Sequence, residues 1–160
     1  RSRRRRRHEG MSARRCSMAS STRRAAGMRL TAQLPMVERY DLATNAWGAV
    51  APMAEARSDH GVAALDGKLY AVGGDHVDGY LSSVERYDPA LDAWEAVAPM
   101  AEARAEHAVA VLDGKLHAVG GQGDGYNTLS SVERYDPGTN AWEAVVPMGT
   151  ARRAYIAVLN

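Results

Sequence analysis

Short apolar or alternating runs, each closed by turn residues, fill most of the chain after residue 35. His60–Leu65 and Lys68–Val72 are two such runs, and Asp66-Gly67 lies between them. Because both central positions of a tight hairpin turn need positive φ, an Asp-Gly step here predicts a β-hairpin. Ser83–Tyr87 and Ala93–Val97 follow as two further strands. The pattern therefore predicts four short antiparallel strands in succession.

The same pattern recurs along the chain as a tandem repeat. Val37–Asp41 (VERYD) returns as Val84–Asp88 and as Val132–Asp136, at spacings of 47 and 48 residues. Residues 37–74 match residues 84–121 at 29 of 38 positions when aligned without gaps. A sheet of four short strands is too small to be stable alone, so such units bury their faces by stacking around an axis. The repeat thus predicts an all-β protein built from blades.

Each full unit also carries a Gly pair, a Tyr, and a Trp seven residues after the Tyr: Gly73-Gly74, Tyr87 and Trp94, then Gly120-Gly121, Tyr135 and Trp142. With the fragments LDGKLYAVGG, LSSVERYDP and WEAVAPM, this spacing resembles the Kelch repeat, most of all the Kelch region of BTB-Kelch (Kelch-like) proteins. The resemblance covers residues 36–160. It implies a β-propeller in which each blade is one repeat, and a role in binding other proteins.

The number of repeats predicts an open arc. Residues 31–160 hold about 2.8 units of 47 residues, so we expect a partial Kelch propeller of four-stranded antiparallel blades. Closure is what removes exposed sheet edges, so we expect the chain not to be a closed monomer and to self-associate through its open ends. The expected units are a partial blade over 36–50, full blades over 60–97 and 107–146, and a partial strand over 154–160.

Residues 1–30 differ from residues 31–160 in charge. The first segment holds 11 Arg and one acid, Glu9, whereas the second holds 9 basic and 18 acidic residues. Self-repulsion and the lack of apolar mass predict a disordered basic tail. Three interpretations stay open: an organelle transit segment from Met11 onward, a nuclear or nucleic-acid signal at Arg3–Arg7, or a segment without function. The expected location is otherwise cytoplasmic.

The composition disfavours several classes of protein. No apolar run approaches the ~18–20 residues that a membrane-spanning helix needs. Cys16 is the only cysteine, so neither an internal disulfide nor a cysteine zinc site is expected. The acidic charge of residues 31–160 argues against nucleic-acid binding by the folded part. We predict no metal site and no other cofactor.

Three arginines recur four residues after each Pro-Met, on the connection between successive blades: Arg57, Arg104 and Arg152. In similar Kelch proteins this connection lies on the ligand-binding face, and the resemblance implies that these arginines grip acidic peptide motifs. A guanidinium suits this role because it binds carboxylates bidentately. A structural role, tying adjacent loops together, is the open alternative. His60, His107 and Tyr155 follow three residues later, in the expected channel wall. His60 and His107 are further candidate partner-binding residues, although we expect packing there over chemistry.

The loops 75–81 and 122–129 vary between repeats while the strands do not. A rigid scaffold with variable loops on one face is a common way to build a binding surface. Tyr80, Tyr126 and Asn127 are therefore candidate contact residues, since Tyr offers a large contact area at small entropic cost. Three carboxylates in the same loops leave the sign of the local potential open: Asp75, Asp78 and Asp124.

Other recurring residues are expected to join the blades. One Tyr and one Trp occur at fixed spacing in each unit, which favours inter-blade core over a ligand platform: Tyr40, Tyr87, Tyr135, Trp47, Trp94 and Trp142. A Glu-Arg pair lies mid-strand in each unit, at 38/39, 85/86 and 133/134. Because a buried charge must be paired, we expect these residues to form inter-blade hydrogen bonds and salt bridges.

These features predict a protein-interaction module and, for a longer parent protein, the substrate-recognition part of a ubiquitin-ligase adaptor. Two alternatives stay open. The chain is a truncated piece without independent function, or it is an enzyme on a Kelch propeller such as a copper oxidase or a sugar mutarotase. A copper site needs converging His and Tyr ligands, and no non-repeating cluster of that kind stands out. We therefore expect no enzyme.

Overall fold

The fold is all-β, as predicted. The computed structural model describes residues 16–17 and 35–153. The strands are β1 (Cys16–Ser17), β2 (Val37–Asp41), β3 (Ala46–Val50), β4 (Gly61–Leu65), β5 (Lys68–His76), β6 (Gly79–Asp88), β7 (Ala93–Val97), β8 (Ala108–Leu112), β9 (Lys115–Val119), β10 (Val132–Asp136) and β11 (Ala141–Val145). A 3-10 turn spans Asp124–Tyr126. Within these ranges no helix is long and apolar enough to cross a membrane.

The strands form three antiparallel sheets in meander order. β4 to β7 form one four-stranded sheet and β8 to β11 form the next. β1, β2 and β3 form a smaller sheet that precedes them. Successive sheets stand as blades, and the connections 51–60 and 98–107 lead from the fourth strand of one blade to the first strand of the next.

The turns between the first and second strands of both full blades have the predicted conformation. Asp66 and Gly67 have φ values of 50° and 73°, and Asp113 and Gly114 have φ values of 50° and 70°. Positive φ at both central positions gives the type I′ turn, whose twist matches that of antiparallel strands. The local sequence alone therefore accounts for both hairpins.

The second and third strands of the first full blade are longer than the pattern predicts. β5 runs to His76 and β6 starts at Gly79, so most of the predicted loop over 75–81 is strand and only residues 77–78 form a tight turn. The register shifts between Val72 and Gly74, which marks a β-bulge that bends the strand without ending it. The second run, which the sequence pattern ends at Val72, continues past the Gly pair in this blade, whereas β9 of the next blade ends before its Gly pair.

Two residues of the basic segment form a short strand. Cys16–Ser17 pair antiparallel with Arg39 and Glu38 of β2. The open edge of the β2–β3 hairpin presents backbone donors and acceptors to which a further segment can add. The other residues of 1–34 and the predicted strand over 154–160 lie outside the described residues.

Most of the core lies between blades rather than within them. The largest cluster joins Val72, Val84 and Met100 on one side to Leu116 and Tyr135 on the next blade. All five side chains are buried. Because a four-stranded sheet has two faces to cover, each blade depends on its neighbours for most of its hydrophobic stabilisation.

The Gly pairs allow two backbones to approach closely, and this predicts unequal costs for glycine substitutions. A Cβ on Gly121, whose φ is 100°, would lie 2.5 Å from the Ala105 carbonyl oxygen and 2.7 Å from the His107 Cβ. Gly114, at φ 70°, has nothing within 4 Å of the same position. We expect Gly121→Ala to lower the free energy of unfolding by about 2–3 kcal/mol and Gly114→Ala by about 1 kcal/mol, measured by urea denaturation. Equal losses of unfolding free energy in the two variants would show that the close backbone approach at Gly121 does not limit substitution there.

Candidate functional site

A buried ion pair anchors each connection between blades. Nη2 of Arg57 lies 2.8 Å from Oε1 of Glu85, and Nη2 of Arg104 lies 2.8 Å from Oε1 of Glu133. Both arginine side chains have 0% of their surface exposed. The guanidinium groups also donate to backbone carbonyls at the Gly pairs and at the start of the third strands: Gly73 and Ser83 for Arg57, Gly120 and Ser131 for Arg104.

The same glutamates fasten the backbone of the connection. Glu133 accepts hydrogen bonds from Ala101 N at 2.7 Å and from Glu102 N at 3.2 Å. Glu85 accepts the equivalent pair from the preceding connection, at 2.7 and 3.1 Å. The third strand of one blade thus holds the segment that leaves the preceding blade.

This placement revises the interpretation of the recurring arginines. The guanidinium groups of Arg57 and Arg104 face the protein interior, where a partner cannot contact them while the blades stay packed. Their position is that of the structural alternative, in which each arginine ties adjacent segments together. Arg152 is exposed, and the residues that follow Arg153 are outside the described part of the chain.

A second repeated link joins Tyr, Asn or Asp, and Trp to the preceding blade. Tyr135 donates to Asn140 Oδ1 at 2.9 Å, and this oxygen also accepts from Ala98 N at 3.0 Å. Trp142 Nε1 donates to the Ala98 carbonyl at 2.8 Å. The same contacts recur one blade earlier, at Tyr87, Asp92, Trp94 and Ala51. In the first unit the equivalent Trp47 is 52% exposed.

The Glu-Arg pairs divide between two roles. Their glutamates make the inter-blade contacts just described at Glu85 and Glu133. Their arginines instead pair within their own blade: Arg86 with Glu95 at 2.7 Å and Arg134 with Glu143 at 2.6 Å. Neighbouring residues of a strand point to opposite faces, which explains the division and corrects the expectation that both members join blades.

His60 and His107 lie beside the Gly pairs in the wall formed by the first strands. A Cβ on Gly74 would lie 2.8 Å from the His60 Cβ, which shows how closely the two segments pack. Burial, and then the charge of Arg57, lowers the pKa of His60 to about 4. Burial, then Arg104 and then His60, lowers the pKa of His107 to about 3. Both imidazoles are therefore neutral at pH 7. Tyr155 lies outside the described residues.

The variable loops and the connections enclose a cleft of about 660 Å³ at one end of the two full blades. Residues 75–80 line one side of the cleft and residues 122–126 line another. Residues 59, 105, 106 and 153, on the connections between blades, line the remainder. Its polar and aromatic lining residues are Asp59, Asp75, His76, Tyr80, Glu106, Gln122, Asp124, Tyr126 and Arg153.

Two tyrosines and a glutamine form the polar centre of this cleft. Tyr80 donates to Gln122 Oε1 at 2.9 Å, and Gln122 Nε2 donates to the Tyr126 carbonyl at 3.2 Å. The rings of Tyr80 and Tyr126 meet edge to face, with centroids 6.1 Å apart. Burial, and then the Asp75 carboxylate, raises the pKa of Tyr80, so its hydroxyl stays a donor. Tyr126 is 76% exposed and has φ of 63°.

The structure thus brings the two predicted tyrosines together, each from a different blade. Asn127 is exposed beside the cleft and donates from Nδ2 to the Asp124 carbonyl at 3.1 Å. Asp78 lies outside the lining and is 3.5 Å from His76 Nδ1. His60, His107 and the arginines Arg57 and Arg104 stand behind the lining rather than in it.

Five of the polar lining residues could not be singled out from the sequence: Asp59, His76, Glu106, Gln122 and Arg153. Gln122 was visible only as one more polar residue of a variable loop. Asp59, Glu106 and Arg153 lie on the connections, where the arginines Arg57, Arg104 and Arg152 are the residues that recur at a fixed position. Their juxtaposition depends on contacts between blades, such as the bond from Glu106 N to the Asp59 carbonyl at 2.9 Å and the ion pair of Arg153 with Glu106 at 3.0 Å. No motif within one repeat contains this information.

No group of three or more His, Cys, Asp or Glu side chains in residues 16–17 and 35–153 is arranged to hold a metal ion.

Comparisons with known proteins match the repeats. A family model of the Kelch motif matches residues 56–101 and 103–149, more than half of the chain. The mouse (Mus musculus) protein Kelch-like protein 35 is 49% identical over 47 residues, which are 29% of this chain and 8% of that protein. A solved structure titled "Structure of YjhT" is similar with a TM-score of 0.65 at 20% identity, over 72% of this chain and 46% of that one. The matched part thus spans less than half the length of either relative.

Proposed function

The chain belongs to the Kelch-repeat family, and from this premise we propose that its folded part is a protein-interaction module that binds a partner in the cleft between its two full blades. The observation that carries the proposal is the pairing of Tyr80 and Tyr126 across two blades. Tyrosine is enriched where proteins bind one another, because its ring covers area and its hydroxyl makes hydrogen bonds.

The separation of structural and variable residues supports this assignment. The residues that join the blades recur from one repeat to the next: Arg57 and Arg104, Glu85 and Glu133, Tyr87 and Tyr135, Trp94 and Trp142. The cleft is lined instead by residues that differ from one repeat to the next, as at 75–80 and 122–126. An exposed aromatic such as Tyr126 on a loop in left-handed conformation stabilises nothing in the core, and such positions cluster at binding sites.

The similarity to a Kelch-like protein supports a finer proposal for a longer parent protein. There the module would act as the substrate-recognition part of a ubiquitin-ligase adaptor, in the cytoplasm. The partner bound in the cleft would then be the protein selected for modification.

Replacing the exposed tyrosine tests the binding site. We expect Tyr126→Asn to reduce partner binding at least about tenfold, because it removes a large aromatic contact while Asn tolerates the left-handed backbone. The measurement is affinity capture with the tagged full chain, followed by titration of the recovered protein. Leu91→Asn is the matched control, since Leu91 is 75% exposed on the turn at the opposite end of the blade. Equal recovery with both variants would overturn the proposed site.

A further inference from the structure

Resting on the proposed function, we propose that the cleft selects a cationic peptide segment of its partner, one that presents arginine or lysine side chains. Two features of the cleft point to this class of ligand. Its charged rim is predominantly acidic, and the rings of two tyrosines line it.

The charge of the lining favours a cation. Four carboxylates line the cleft against one arginine, Arg153, which gives a formal charge of −3 with His76 counted as neutral. Arg153 is already engaged, since its Nη1 lies 3.2 and 3.0 Å from the two carboxylate oxygens of Glu106. The carboxylates of Asp59 and Asp124, which come from two different segments, therefore add to the negative potential that a ligand meets. A concave site with one sign of charge concentrates ligands of the opposite sign.

The aromatic pair suits the same ligand. A guanidinium or ammonium group binds favourably over the face of a tyrosine ring, and arginine does so most often. Tyr126 lies largely in solvent, and its edge-to-face contact with Tyr80 leaves ring surface accessible in the cleft. An aromatic pair surrounded by carboxylates is the arrangement that such a side chain can bridge.

This geometry reverses the expected preference for acidic peptides, because the cleft lining is acidic and not basic. That expectation depended on Arg57 and Arg104, whose side chains are buried beneath the connections. An acidic peptide entering the cleft would meet a lining of net negative charge whose one arginine is already paired with Glu106. Like charges held together in a site of reduced dielectric repel, so the acidic ligand is disfavoured.

Fluorescence anisotropy with the full chain tests the charge selectivity. The probes are a fluorescein-labelled peptide of alternating alanine and arginine, and the same peptide with glutamate in place of arginine. We expect the arginine peptide to bind saturably at about 0.15 M salt, whereas removing cleft carboxylates should not weaken binding of the glutamate peptide. Asp59→Asn with Asp124→Asn should weaken binding of the arginine peptide at least about fivefold. Residues 1–30 carry 11 arginines that also attract the glutamate peptide. Their effect cancels in the comparison between variants, which decides the inference.

A second double variant separates a local from a general charge effect. Asp66→Asn with Asp113→Asn removes the same charge at the opposite end of the blades, in turns whose positive φ Asn also tolerates. It should change the affinity less than about twofold. Equal losses of affinity for the arginine peptide in the two double variants, or a loss of affinity for the glutamate peptide in the Asp59→Asn with Asp124→Asn variant, would overturn the inference. Neither result decides the proposed function, which the capture experiment with Tyr126→Asn tests independently.

Discussion

Replacing Arg104 with methionine should destabilise the protein by about 3–5 kcal/mol. The substitution preserves the aliphatic bulk of the side chain but leaves the Glu133 carboxylate buried without its cation. It also removes the hydrogen bonds to the Gly120 and Ser131 carbonyls. The free energy of unfolding is measured by urea denaturation followed by tryptophan fluorescence.

Two further variants keep this prediction falsifiable. Arg134→Met breaks a partly exposed pair within one blade and should cost less than about 1 kcal/mol. Glu133→Gln in the Arg104→Met background should recover part of the loss, because the uncompensated buried charge is gone. If Arg104→Met is as stable as Arg134→Met, the buried pair does not hold the connection.

Acidification from pH 6.5 to 4.5 should destabilise the protein by about 2–3 kcal/mol for each of two histidines. The folded state holds the pKa of His60 near 4 and that of His107 near 3, from an ordinary value of 6.5. The unfolded chain therefore takes up protons in this range while the folded chain does not. Stability is complete above pH 6.5 and falls as the pH drops toward 4. Urea midpoints measured across this range give the slope.

The choice of pH range separates the histidines from the carboxylates. The pKa values of Asp88, Asp92 and Asp136 are lowered, chiefly by side-chain hydrogen bonds, so their contribution is lost only below about pH 4. His117, whose pKa is lowered mainly by burial, adds in the same direction as the other histidines. A variant with His60→Gln and His107→Gln should show a flatter slope between pH 6.5 and 4.5. An unchanged slope would assign the acid sensitivity to other groups.

The parts of the fold that depend on local chemistry could be predicted from the sequence. The Asp66-Gly67 turn follows from two residues that tolerate positive φ, and the blades follow from a repeat in which Trp94 and Trp142 keep their spacing. The bulge in β5 could not be predicted, because pairing beyond Gly74 depends on contacts such as the bridge from Ser58 to Asp75. That bridge joins segments that are distant in the sequence.

The candidate site was predictable only in part, for the same reason. Variable loops pointed to Tyr80 and Tyr126, and the structure brings both into one cleft. Arg57 was ambiguous because its environment is decided by Glu85, 28 residues further along the chain. Whether an arginine on a connection faces solvent or interior is decided by the third strand of the next blade. The sequence of the connection alone therefore does not predict which way the arginine side chain faces.

Backbone amide chemical shifts of the full chain, titrated with the arginine peptide, test the central claim that the cleft between the two full blades is the binding site. We predict that the largest shift changes fall on residues 58–60, 75–80, 105–107 and 122–127, with small changes at the turns 66–67, 88–92 and 113–114. Saturable changes concentrated at those turns, with the cleft residues unchanged, would contradict it.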